Sequence, residues 1–172
     1  MKSNIFISYY HEDKEYSDKF QELFQNLNTK TIRLTNNDYS SDEYISNIIN
    51  ENNITNTTTT IVLVGPKTYK RKHIDWDIYA ALKQKSSLIG ICLPNRNDYR
   101  LNNLILETYP PRLHDNVTSG YATIIKWTEN PEKIDNIIKR SYIKSEDTNL
   151  INNRRKLQSK DHHFCGVGCD CH

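Results

Sequence analysis

Two periodicities alternate along this chain. Short runs of β-branched and aromatic residues recur, and between them apolar residues are spaced three and four apart. Asn4 to Tyr9 (NIFISY) is the first run and predicts a strand. From Glu15 to Leu27 the residues Tyr16, Phe20, Leu23, Phe24 and Leu27 share one face of a predicted amphipathic helix. Thr31 to Leu34 predicts a short second strand, followed by a polar loop from Thr35 to Ser41. Ser41 or Asp42 caps a second helix carrying Tyr44, Ile45, Ile48 and Ile49. A polar connection, 50–57, leads to the most regular stretch. There Ile61 to Val64 is an apolar run closed by Gly65-Pro66, a helical pattern runs from Lys72 to Gln84, and Leu88 to Leu93 is a second apolar run. Strand, crossover helix and strand make a βαβ unit, which builds parallel sheets.

Beyond it, Asn95 to Thr118 is the least regular part, with a short helix predicted over Leu101 to Leu106. Tyr121 to Trp127 predicts a fifth strand. Thr128 or Asn130 then caps a last helix with Pro131 in its first turn and an apolar stripe of Ile134, Ile137, Ile138 and Tyr142. Five strands alternating with helices predict a three-layer α/β domain over residues 1–144. Residues 145–172 differ in character: they are polar, carry Arg154-Arg155-Lys156, and end in the Cys/His-rich DHHFCGVGCDCH. They read as a tail, either disordered or metal-binding.

Composition narrows the function classes. A net charge of +2 over 172 residues gives no electrostatic claim on nucleic acid or membrane. No apolar run approaches the roughly 20 residues a membrane helix needs, and the start lacks the apolar core of a signal peptide. Cys92 is the single cysteine of the body. A cytoplasmic protein is expected.

Glycine is scarce, and neither GxGxxG nor GxxxxGK[ST] occurs, which argues against the usual dinucleotide and Walker loops. Ligands of open parallel sheets bind outside the carboxyl ends of the strands, so the residues there are the first candidates. At roughly 100° per residue, Ile74, Ile78, Ala81 and Leu82 form the buried stripe of the central helix. Asp77 then falls on the flank of that stripe and Trp76 on its far side. Asp77 reads either as a carboxylate facing a cleft or as a solvated charge near a helix start, favoured by the helix dipole. Trp76 reads as loop packing or as a wall of that cleft. Tyr9, Tyr10 and His11 leave the first strand at the same edge, where they stack on a ligand ring or pack the loop. Lys67, Lys70, Arg71 and Lys72 meet phosphates there or form a basic solvated face. In the tail, His162, His163, Cys165, Cys169, Cys171 and His172 are enough soft ligands for a tetrahedral zinc site, although C-x3-C-x-C-H is not a standard spacing.

These stretches resemble a known family. NIFISYYHED resembles the opening motif of TIR and TIR-like domains. IVLVGPKTYKRKHIDWDI resembles the stretch carrying their catalytic acid, often written Trp-Val-x-x-Glu. PPRLHDNVTSGYATIIKW resembles a later stretch of the subgroup in the bacterial Thoeris anti-phage system, the ThsB component. The resemblance covers residues 3–143 and implies a flavodoxin-like fold with a five-stranded parallel sheet. It further implies cleavage of NAD, as substrate, at the nicotinamide–ribose bond, and release of a cyclic or conjugated ADP-ribose messenger that activates a separate effector. Self-association and a phage component as trigger belong to the same expectation; so does a rival, a non-catalytic sensor or scaffold acting through protein contacts. Carried over by position, the catalytic carboxylate is Asp77. The pocket after the first strand is Ser8, Tyr9, Tyr10 and His11, and the loop after the second strand supplies Asn37, Asp38 and Tyr39. The chain departs from the family in carrying Asp where Glu is usual, a side chain shorter by about 1.5 Å.

Overall fold

The structure, a computed structural model, describes residues 4–31, 39–50, 56–101 and 105–161. Five parallel strands form one sheet: β1 (Asn4–Ser8), β2 (Asn28–Thr31), β3 (Thr59–Val64), β4 (Ser87–Cys92) and β5 (Thr123–Lys126), in the order β2-β1-β3-β4-β5. The helices are α1 (Lys14–Leu23), α2 (Ser41–Asn50), α3 (Lys72–Lys83), α4 (Pro111–Thr118) and α5 (Pro131–Ser145). This is the three-layer α/β arrangement with the flavodoxin-like strand order.

Period-two alternation in the strands sorts the core into two layers. Ile5, Ile7, Ile61, Leu63, Ile89 and Ile91 meet Phe20 and Phe24 at the end of α1, and Ile134 and Ile138 of α5. On the opposite face Val62, Val64, Leu88 and Cys92 meet Ile74, Ile78 and Leu82 of α3 and Leu113 of α4. A third cluster joins Phe6 of β1 to Tyr44, Ile45 and Ile48 of α2 and to Trp76 and Ala80 of α3. The central strands β3 and β4 are buried along their whole length, as strands covered on both faces must be.

Several boundaries differ from the sequence pattern. α1 ends at Leu23, so Leu27 lies beyond it, and the second strand pairs over Asn28–Thr31 rather than starting at Thr31. Polar residues suffice there because β2 is an edge strand whose pairing with β1 is set by the backbone. The irregular region contains α4, whose start is set by Pro111 in its first turn. The expected helix over 101–106 falls mostly outside the described residues, and a single 3-10 turn occupies Leu106–Thr108. Tyr142 is 40% exposed, and Ser141 takes its place on the inner face of α5. Trp76 was placed on the far side of α3, yet it is 2% exposed. That side is covered by α2 and by residues 157–158.

Residues 146–161 lie along α3 and α4. Asn116 and Asn152 exchange hydrogen bonds of 2.7 and 2.9 Å, and Trp76 Nε1 donates to the Gln158 carbonyl at 2.9 Å. The centre of this packing is Arg112, which is fully buried. Its guanidinium donates to both oxygens of Asp75 at 2.8 and 3.2 Å, to Asn153 Oδ1 at 2.8 Å and to the Lys156 carbonyl at 3.3 Å. The Gln158 amide completes the shell of Asp75 at 2.9 Å. Removing one partner leaves the other charge buried without compensation, at a cost of about 3–5 kcal/mol. Arg112→Ala is therefore expected to lower the unfolding free energy by that amount in a denaturant titration and to open residues 150–161 to protease. A loss below about 1 kcal/mol, the range of an exposed pair, would contradict this role.

Candidate functional site

β1 sits between β2 and β3, so the chain leaves it in one direction and returns on the other side. This is the topological switch point, where open α/β sheets bind ligands at the carboxyl ends. The last residue of β1, Ser8, follows Phe6 on the α2/α3 face of the sheet. Its hydroxyl donates to Asp77 Oδ2 at 2.6 Å, and Tyr44 of α2 donates its phenol to Oδ1 at 2.8 Å. Three elements thus converge on one carboxyl group. Asp77 is 6% exposed, which excludes the solvated-charge reading of its position. Burial pushes its pKa up to about 7, against the opposing pull of the Ser8 and Tyr44 hydrogen bonds. Burial likewise raises the Tyr44 phenol well above its ordinary range, with the Asp77 charge adding to it.

Around Tyr44 the aromatic residues interlock. The His73 ring lies 5.0 Å and the Trp76 ring 5.3 Å from it, and His73 and Trp76 meet edge-on at 5.2 Å. His73 is held toward its neutral form by burial first and by Lys72 second. Its buried Nε2 has no partner among the described residues.

The other sequence-predicted residues are distributed more widely. Tyr9 packs on the α1/α5 face, across the sheet from Asp77. Tyr10 is buried beneath the Arg71 guanidinium, 4.0 Å above its ring, and donates to Glu12 at 3.1 Å. His11 is exposed and lies 4.2 Å from the Tyr10 ring. Tyr39 packs against the Phe6–Tyr44–Trp76 cluster. Asn37 and Asp38 lie outside the described residues, as do His162, His163, Cys165, Cys169, Cys171 and His172. Among the described residues no group of three or more His, Cys, Asp or Glu side chains is gathered for a metal, and no helix is long and apolar enough to cross a membrane. The basic residues near α3 are engaged within the chain: Lys67 with Glu12 at 2.9 Å, and Arg71 with Asp161 at 3.3 Å.

Two features were not legible as site residues. Tyr44 counted only as part of the apolar stripe of α2, because its hydroxyl partner lies 33 positions away. Asp13 entered only as the last residue of the NIFISYYHED stretch. It is 2% exposed and lies flat against Gly65, where a Cβ would stand 2.1 Å from Oδ2. Only glycine leaves room for that carboxyl group. Asn95 donates to Oδ1 at 2.8 Å, while Oδ2 has no partner among the described residues. Burial raises the Asp13 pKa, with the Asn95 hydrogen bond opposing. Asp13, Gly65 and Asn95 together tie the loops after β1, β3 and β4 into one edge.

The strand order, the switch point and the acid on the helix after β3 define a flavodoxin-like domain of TIR-like type. The sequence profile described as Thoeris protein ThsB, TIR-like domain, matches residues 6–98, more than half of the chain. The chain therefore belongs to that family. A comparison with curated proteins finds none that matches.

The Asp77 geometry has a consequence for stability. Its carboxyl ionises near 3.8 when unfolded and near 7 when folded. Between these values the unfolded chain has released a proton that the folded chain retains. The Asp77 contribution to stability therefore falls as pH rises from about 4 to about 7 and levels off above, by on the order of 4 kcal/mol at about 1.4 kcal/mol per pH unit. Asp77→Asn cannot ionise, so its stability profile is expected to be flatter over that window and to lie above the parent at pH 8. Asp13 adds a slope of the same sign, and Asp98, Asp115 and His73, shifted the other way, add the opposite one. Parallel profiles for parent and Asp77→Asn in urea titrations would contradict the assignment.

Proposed function

We propose that this protein is a TIR-like enzyme of anti-phage defence that cleaves NAD at the nicotinamide–ribose bond. It releases a cyclic or conjugated ADP-ribose messenger read by a separate effector. One observation carries the reading: a single carboxyl group, Asp77, is buried at the switch point among hydroxyl donors, with an ionisation near neutrality. Family membership supports it.

The chemistry asks little of the protein. As the C1′–nitrogen bond breaks, its electron pair moves to the pyridinium nitrogen, and nicotinamide leaves neutral without being protonated. Positive charge develops on the ribose carbon and ring oxygen, as in glycoside cleavage. An ionised Asp77 stabilises that charge and accepts from ribose hydroxyls, in an apolar setting that strengthens both effects. The acceptor then forms the new bond to C1′, and any proton it carries goes to solvent. A base nitrogen of the same ADP-ribose gives a cyclic product, and a separate nucleophile gives a conjugate. Because the ionised acid is required, turnover rises with pH through about 7. Tyr10 lies under Arg71 at the same edge, and Trp76 backs Asp77 through Tyr44.

A second reading, a non-catalytic sensor or scaffold, is favoured by a different fact: both Asp77 oxygens are already taken by side chains of the chain itself. The two readings separate in lysates of phage-challenged cells followed by mass spectrometry. The enzyme reading expects NAD loss and a new ADP-ribose species in the parent, reduced on the order of 100-fold or more in Asp77→Asn. Constant NAD under every challenge, with the protein folded and soluble, would leave the scaffold reading.

A further inference from the structure

We propose that Tyr44 is a positioning residue for the reaction at Asp77: from α2, its phenol fixes the direction of the carboxylate and donates to its ionised form. The functional half of this rests on the enzyme reading above; the structural half stands without it.

The two donors on Asp77 are not equivalent. Ser8 is a short rotor at the end of β1, and its hydroxyl turns away about one side-chain bond. A substrate hydroxyl can therefore replace it at Oδ2 with no movement of backbone. Tyr44 has no such freedom. Its ring packs against His73 at 5.0 Å and Trp76 at 5.3 Å, two rings that also meet each other at 5.2 Å, and Trp76 is itself anchored by its Nε1 hydrogen bond to the Gln158 carbonyl at 2.9 Å. The phenol stays on Oδ1 at 2.8 Å while Oδ2 is handed to the ligand. In a site this deeply buried a carboxylate without a donor reverts to the neutral acid, which has no charge with which to stabilise an oxocarbenium ion and accepts more weakly from substrate hydroxyls. An Asp side chain is short, so it has little reach with which to correct a wrong orientation. The Tyr44 phenol removes that freedom. The groups facing Asp77 are Ser8 from β1 and Tyr44 from α2, while His73, one turn earlier on α3, lies against the Tyr44 ring. Burial keeps His73 toward neutral. Among the described residues no charged side chain other than Asp77 bears on the phenol.

The test is a carbon-13 NMR titration of the Asp77 carboxyl carbon in the full chain, parent against Tyr44→Phe, assigned with Asp77→Asn. A hydrogen bond to a charged group corresponds to roughly one to two pH units. The Asp77 midpoint is expected to rise by about that much in Tyr44→Phe, and an unchanged midpoint would overturn the proposal. Should Tyr44→Phe fail to fold, site-specific 3-fluorotyrosine at position 44 gives a more acidic phenol and a stronger donor. The midpoint then has to fall, and a midpoint that stays or rises overturns the proposal. In challenged lysates, the rising limb of NAD consumption is expected to move to higher pH by the same amount, with activity about tenfold down at pH 7 and recovering by pH 9. An equal loss at every pH would mark a structural role and overturn the positioning role. A shifted midpoint in a parent that never consumes NAD would overturn the functional half alone, together with the enzyme reading on which it rests.

Discussion

Two carboxyl groups two residues apart on a buried helix constrain the rest of this structure. α3 lies between α2 and α4 on one face of the sheet, and Asp75 and Asp77 are both buried on it. Neither is tolerable in an apolar layer without partners. Two positions along a helix is a turn of roughly 200°, so the two acids point to opposite sides and recruit different neighbours. Asp75 is met by Arg112 of α4 and the Gln158 amide, which fixes residues 146–161 along the helix. Asp77 is met by Ser8 of β1 and Tyr44 of α2.

The two solutions differ in kind. Asp75 has a full-charge partner and a closed shell of donors from protein, which is a structural answer. Among the described residues Asp77 has only neutral hydroxyls and no cation, and it lies at the carboxyl edge of the sheet, where its ionisation is pushed to about 7. A fold that needed only to bury a side chain there would keep an apolar residue. A carboxyl group kept at neutrality costs stability above pH 4, and such costs concentrate at sites of function. The Asp13–Gly65–Asn95 tie at the same edge holds the loops beside it and gives the site a firm floor.

The layered architecture was legible because its causes are local. Ile61–Val64 and Leu88–Leu93 are apolar on both faces, and only buried parallel strands read that way. The spacing of Ile74, Ile78 and Leu82 gave the inward face of α3, and Pro131 marked the start of α5. β2 was misplaced because an edge strand built of Asn, Thr and Lys leaves no apolar signature. α4 was missed because its buried residues are Arg112, Leu113 and Asn116, two of them polar.

The sequence by itself determined the five strands and their order along the chain, the family, and Asp77 as the acid to watch. Local periodicity and a short motif carry that much, since both depend on neighbours a few residues apart. Only the tertiary structure decided what Asp77 is. Its donors come from positions 69 and 33 residues away, and a pKa depends on burial and partners in space. The same reason hid the ion pair of Asp75 with Arg112, 37 residues apart, and the cover that residues 157–158 lay over Trp76. A helical wheel shows which way a side chain points; what waits there is set by the parts of the chain that fold onto it.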